Sequence, residues 1–358
     1  MSTVSHKHDN DFQLQGRIEW VDAAKSIGIF LVVFGHSLGG MVDSGVLDES
    51  GWGGLTVRFL YAFHMPLFFF LAGMFVANSA HRTFHAYLAN KASVIVYPYL
   101  LWSLMQGSTQ ILASRFTNNH FSVRDLLTIV YQPVDQYWFL YVIFIMYIIY
   151  WWIYHRHISD DTLLVIALAL HLIESRGLIA VRWDVLHSFC SLLLYFALGA
   201  KAAETSFFTD LRMQGSVRLG GLAVIGYVLI AVGVAATVKL SDLPLLSAAL
   251  AISGTIATIA LAMLLARSPI LSFARIPGVY SLEIYVAHTF FAATVRIALQ
   301  KGLGYSGPLL HVVIGTTAGI VFPVLLAIWA PKVGLPYLFT WSRSRRYTEM
   351  SAIKTPAA

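Results

Sequence analysis

Residues 25–40, KSIGIFLVVFGHSLGG, and residues 59–75, FLYAFHMPLFFFLAGMF, decide the fold class. Each is an apolar run close to the length needed to cross hydrocarbon, and each is interrupted by an ionisable side chain, His36 in the first and His64 in the second. A histidine solvated by lipid is costly unless it is paired or faces an interior cavity, so these two positions are where chemistry is expected.

Working outward from them, the first two spans run from Ala23 to Leu38 and from Phe59 to Ala77. Further apolar runs cover Ser93 to Ser114, Tyr137 to Tyr154, Val185 to Ala200, Val217 to Val238, Pro244 to Ala266, Gly278 to Leu299 and Leu309 to Ala330. A weaker, shorter run lies between Leu163 and Ile173. Counting it predicts an all-α, polytopic membrane protein with about ten transmembrane helices and both termini on one side. The composition agrees: 58% of the 358 residues are hydrophobic and only 12% are charged, with a mean hydropathy of +0.70.

With the amino terminus inside, the inner segments hold about twice as many Lys and Arg residues as the outer ones, which include Arg58, Arg176 and Arg182. The expected location is therefore the cytoplasmic (inner) membrane, multi-pass, with both termini cytoplasmic and the lipid bilayer as an obligate partner. The net charge of +6 follows largely from this topology, and no basic and aromatic patch suggests nucleic acid. Three segments are expected: a cytoplasmic amino-terminal stretch at 1–22, one transmembrane domain at 23–331 and a basic cytoplasmic tail at 332–358. The tail sequence SRSRRYTEM reads as a lipid-headgroup anchor. The opening residues show no removable secretory signal, and Cys190, the sole cysteine, cannot form an internal disulfide.

Taking Asp22 as the inner boundary, His36 lies about 20 Å into the membrane at a rise of about 1.5 Å per residue. The second helix runs the other way, which brings His64 to a similar depth. Lys25 stays near the inner mouth, three positions after Asp22 on one helical face, so the two can pair. A cation near the inside and an imidazole deeper on the same helix suit a reagent that is anionic at one end and reactive at the other, as coenzyme A thioesters are. A histidine near neutral pH can take the proton from a hydroxyl as it attacks an acyl carbonyl. Spacing alone fits a proton-coupled transporter equally well, since intramembrane histidines also relay protons.

The segment RIEWVDAAKSIGIFLVVFGH, residues 17–36, resembles the signature of the acyltransferase 3 family of integral-membrane O-acyltransferases, in which ten positions separate a basic residue from a histidine, here Lys25 and His36. YAFHMPLFFFLAGMF resembles the second-helix motif of the family's sugar O-acetylase-like branch, and YPYLLW, QYWFLYVIF and SLEIYVAH resemble its later landmarks in order. The resemblance implies acyl transfer from an acyl-CoA, commonly acetyl-CoA, to a carbohydrate hydroxyl, possibly lipid-linked, in exopolysaccharide or surface-glycan modification. No permanently bound cofactor is implied, since acetyl-CoA is a donor substrate.

Carried over by position, His36 is the catalytic histidine and Lys25 its basic partner, a place where many members have arginine. Lys91 matches one position of an arginine pair whose second position is Val94 here. The catalytic candidates are thus His36, His64 and Asp22, and the donor-binding candidates Lys25 and Lys91. His64 reads either as a second catalytic or substrate-orienting group or as an interhelical bond, and Asp22 either orients Lys25 or caps its helix. Glu283 and His288, five apart, point in different directions around their helix. Tyr137 and Trp138 read as sugar-stacking rings or as interface anchors. The pairs His6 with His8, His81 with His85 and His155 with His157 have no cysteine or carboxylate partners in a closed set, so no metal is expected. Pro66 is expected to kink the second helix and open space beside His64.

Overall fold

A computed structural model describes residues 18–43, 45–113, 122–236, 243–305 and 307–341. Residues 1–17, with His6 and His8, and the SRSRRYTEM segment of the tail lie outside the described residues.

The chain folds as helices joined by short connections. The longer ones are α1 (Glu19–Asp43), α2 (Trp52–Tyr61), α3 (His64–Met74), α4 (Phe84–Lys91), α5 (Tyr97–Ala113), α6 (Trp138–His155), α7 (Asp160–Ser175), α8 (Asp184–Ala203), α9 (Ser216–Ala236), α10 (Pro244–Ala266), α11 (Ser281–Ile297) and α12 (Pro308–Trp329). Among the described residues, eight helical segments are long and apolar enough to cross a membrane, with α2 and α3 together forming one of them. The protein is all-α and polytopic. The other two runs of the expected ten fall on α5, of 17 residues, and α7, of 16, which are shorter than those eight.

Two local departures from α-helical geometry precede prolines, whereas α12 runs unbroken through Pro323. Pro66 has no N–H to offer the Ala62 carbonyl and crowds it, and the second span divides there into α2 and α3 at Ala62 and Phe63. Before Pro98 the chain widens into a π turn over Ala92–Val96, joining α4 to α5 without a sharp bend.

Packing between helices depends on small residues, as expected where lipid and side chain are equally apolar. At the α3/α8 crossing, Gly73 lies against the Phe196 carbonyl and Gly199 against the Phe70 carbonyl, so a Cβ at either would strike backbone. Helix α9 turns Gly226 toward Ser253 and Ala257 of α10. Its other side leaves Val224, Ile225, Val228 and Val232 exposed, a face fit for lipid.

Helix α1 occupies the centre, packed against α2, α3, α10, α11 and α12. One apolar core gathers Phe69, Tyr137, Met146, Phe196 and Ile284; a second gathers Trp20, Leu67, Phe70, Leu219 and Met263. After α12 the chain returns along α5, where Phe339 is buried against Trp102 and the Trp102 indole donates to the Leu338 carbonyl at 3.0 Å.

Candidate active site

The candidate site lies where α1 meets α11. Helix α1 is helical through a long apolar run, and its Gly28, Gly35 and Gly39 admit neighbouring side chains, Phe68 at the first and Tyr61 at the other two. Just before α11, the short helical turn at Ile276–Val279 presses Gly278 onto the backbone of Asp22, and the Gly278 N–H donates to Ser26 Oγ at 2.6 Å. From that anchor α11 runs beside α1 in the same direction, which brings His288 level with His36.

The two imidazoles meet at 2.9 Å, His36 Nδ1 to His288 Nε2, with ring centroids 5.0 Å apart. Their hydrogen positions follow from the surroundings. His288 Nδ1 faces the carbonyls of Tyr285 at 2.8 Å and Ile284 at 3.1 Å, and carbonyls only accept. The neutral ring therefore carries its hydrogen on Nδ1 and offers a lone pair at Nε2. His36 must donate from Nδ1 to fill that lone pair, which leaves His36 Nε2 unprotonated. His288 is fully buried and His36 half-buried, so the inner ring orients the outer one and the outer one retains the free base nitrogen.

His64 stands at the break between α2 and α3. It is buried, and its Nδ1–H donates to the Leu60 carbonyl at 2.7 Å, which also accepts from the Phe63 N–H at 3.4 Å. Its ring is 5.0 Å from Tyr61, which is in turn 6.4 Å from the His36 ring. The three rings form one cluster, with Tyr61 between the two histidines.

A polar network adjoins the dyad on the side of Thr289. Gln136 Nε2 donates to Thr289 Oγ1 at 2.9 Å and to Gln106 Oε1 at 3.0 Å. Gln106 Oε1 also accepts from Thr289 Oγ1 and from the Tyr137 hydroxyl, each at 3.0 Å, and the Tyr137 hydroxyl reaches the Val286 carbonyl at 2.8 Å. Gln106 and Gln110 each donate to Asp135 Oδ2 at 2.6 Å. The Tyr285 hydroxyl donates to the Gln136 carbonyl. Residues 285–289, which carry His288, are thus tied to the 135–137 turn on several sides. This placement corrects the expectation for Tyr137, which is neither a stacking platform nor an interface anchor but is wholly buried inside the network.

The remaining sequence candidates lie away from the imidazoles. Asp22 is buried and Lys25 half-buried on α1, with Lys25 three turns below His36. Lys91 ends α4, its ammonium 3.6 Å from the centre of the Tyr147 ring and 5.3 Å from that of Tyr87. Sequence reasoning named His288 but assigned it no role. Its signal was the same as that of His36, an imidazole in apolar surroundings within a landmark segment. The partners Gln106, Gln136 and Thr289 carry no comparable local signal.

Beyond Tyr61 an open cavity of about 620 Å³ reaches from the α2/α3 break, where Ala62, Met65 and Pro66 line it, to α7, α8, α9 and α10. The expected kink at Pro66 is therefore realised as a full break with space beside it.

No solved structure matches the chain. Nodulation protein NolL of Mesorhizobium japonicum is 29% identical over 130 residues, 36% of this chain and 34% of NolL. Nodulation protein NolL of Sinorhizobium fredii is 31% identical over 125 residues, 34% of this chain and 32% of that protein. The matches thus span about a third of the length of these curated relatives. The acyltransferase domain model covers residues 18–328, from α1 into α12 and including every candidate site residue, and the chain belongs to that family, acyltransferase 3.

Proposed function

We propose that the chain is an integral-membrane O-acyltransferase that moves an acyl group, acetyl in the first instance, from an acyl-CoA to a carbohydrate hydroxyl. The observation that carries this reading is the His36–His288 pair, whose hydrogen bonding leaves His36 Nε2 as a free base within a segment matched by an acyltransferase family.

In the proposed reaction the acceptor hydroxyl gives its proton to His36 Nε2 while its oxygen forms a bond to the acyl carbon. The C–S bond of the thioester then breaks, and the thiolate leaves with the proton as free coenzyme A. The charge on His36 is relieved through Nδ1–H···Nε2 toward His288, whose own Nδ1–H remains held by two carbonyls. No ATP is required, because conversion of a thioester to an oxygen ester is downhill.

Lys25 is assigned to the anionic nucleotide of the donor, with Lys91 secondary because its ammonium already lies against Tyr147. The pantetheine arm would span the roughly 16 Å between the Lys25 and His36 levels. The proposed setting is the cytoplasmic membrane with both termini inside, the donor entering from the cytoplasm and an exported or surface glycan, as in exopolysaccharide modification, approaching from the other face.

The test is purified protein in nanodiscs given acetyl-CoA and membrane glycan extracts. Release of free coenzyme A together with acetylated glycan, both lost in His36→Ala, supports the reading. Movement of glycan across sealed vesicles with no acyl transfer would overturn it in favour of a transporter.

A further inference from the structure

The open cavity beside Tyr61 contains two polar groups that the protein leaves unsatisfied. Arg58 Nε, on α2, is buried without a hydrogen-bond partner, and Arg58 makes no ion pair among the described residues. His171, on α7, is 94% buried by its 6% exposure, and its Nδ1–H donates to the Ser191 carbonyl at 2.9 Å. That bond fixes the neutral ring's hydrogen on Nδ1 and leaves Nε2 as a bare acceptor, which is also buried and unpartnered.

The carboxylate in the same cavity does not answer the arginine. Glu174 is engaged by His187, at 3.4 Å, and by the Ser191 hydroxyl, at 2.8 Å. A buried guanidinium nitrogen and a buried imidazole lone pair left open in this way are costly unless a ligand supplies an anion to one and a hydroxyl to the other. Trp138 and Tyr195 line the cavity as well, and flat aromatic faces suit the apolar face of a sugar ring. Tyr61 connects the cavity to the imidazole cluster.

We infer that this cavity is the acceptor subsite and that it takes an acidic carbohydrate, with Arg58 binding the carboxylate or phosphate oxygens and His171 Nε2 accepting from a ring hydroxyl. The inference rests on the acyl-transfer reading for the word acceptor, whereas the ligand chemistry rests on the cavity alone. Arginine suits the role, since its planar fork matches either oxyanion bidentately.

The experiment is saturation-transfer NMR on the full chain in nanodiscs, with glucuronate, glucose 1-phosphate and glucose as separate probes at equal concentration. The expected result is a signal from at least one acidic sugar about tenfold above that of glucose, in keeping with a charge-assisted pair. Arg58→Gln should reduce it to the glucose level, and Arg58→Lys should retain part of it, which separates lost charge from lost fold. His171→Phe should weaken acidic and neutral sugars alike. A response to glucuronate alone identifies a uronate and one to glucose 1-phosphate alone a phosphate, and a response to both leaves the anion as the determinant. Equal signals from all three sugars, or an Arg58→Gln protein that keeps its preference, would overturn the inference. Coenzyme A release is measured on the same preparation. Arg58-dependent binding without any transfer would remove the acyl-transfer reading and leave the subsite, and transfer without Arg58-dependent binding would do the reverse.

Discussion

His36 and His288 are 252 positions apart in the chain, and Ser26 and Gly278, also hydrogen-bonded between the same two stretches, are separated by 252 as well. Equal separations ten residues apart mean that α1 and α11 run parallel and in register over about 15 Å. The close approach of Gly278 to the backbone of Asp22 sets that register, and the imidazole pair is its consequence ten residues further along.

Because the two imidazoles act as one unit, their substitutions should not add. His36→Ala is expected to lower turnover by about a hundredfold or more, as for a missing acid-base group. His288→Ala should cost about tenfold or more through loss of orientation, and the double variant should be no slower than His36→Ala alone. Steady-state rates of coenzyme A release on the three proteins check this, and independent, multiplying losses would refute it.

Gln106 is the hub of the network around the 135–137 turn, serving Gln136, Tyr137, Thr289 and Asp135. Gln106→Leu would leave the Thr289 hydroxyl and one Gln136 amide hydrogen without their acceptor, with a destabilisation of about 1–3 kcal/mol for each group that stays unsatisfied. A lower melting temperature in detergent accompanied by slower turnover is expected. Unchanged melting would show that the network does not support the fold.

The α3/α8 crossing gives a test of packing without chemistry. Gly73→Ala and Gly199→Ala each drive a methyl into a facing carbonyl, and overpacking of this kind costs about 1–3 kcal/mol. Gly221→Ala, on the open side of α9 with nothing nearby, should be neutral or stabilising by up to about 1 kcal/mol. Thermal denaturation of the three variants measures the contrast, and equal behaviour would contradict the close crossing.

Lys25 stands on α1, the helix of His36, but three turns from it. Lys25→Ala should therefore raise the KM for acetyl-CoA while changing kcat little, the pattern of lost ground-state binding. Inside-out vesicles should use added acetyl-CoA and right-side-out vesicles should not. A fall in kcat with KM unchanged would move Lys25 from donor binding to the chemical step.

The all-α membrane class, the candidate helices and two of the three central histidines were legible in the sequence because hydropathy and helical period are local properties, readable within one span. The break at Ala62 and Phe63 was legible in part, since Pro66 marks it, although not the bond from the His64 ring to the Leu60 carbonyl across it. Tyr137 shows the opposite case: a tyrosine at a helix end reads as an interface anchor, and only the neighbouring α5 and α11 make it a buried hydrogen-bonding group.

By itself the sequence determined that this chain is solvated by lipid, that its helices cross as apolar rods, and that His36 sits on such a rod eleven positions beyond Lys25. Tertiary structure decided that His288 meets His36, that Arg58 and His171 line one cavity, and which nitrogen of His36 carries the hydrogen. The physical reason is that apolar character sums over neighbouring residues. A hydrogen bond between rings 252 positions apart depends instead on which helices a few glycines allow to touch, and no local stretch of either helix contains that information.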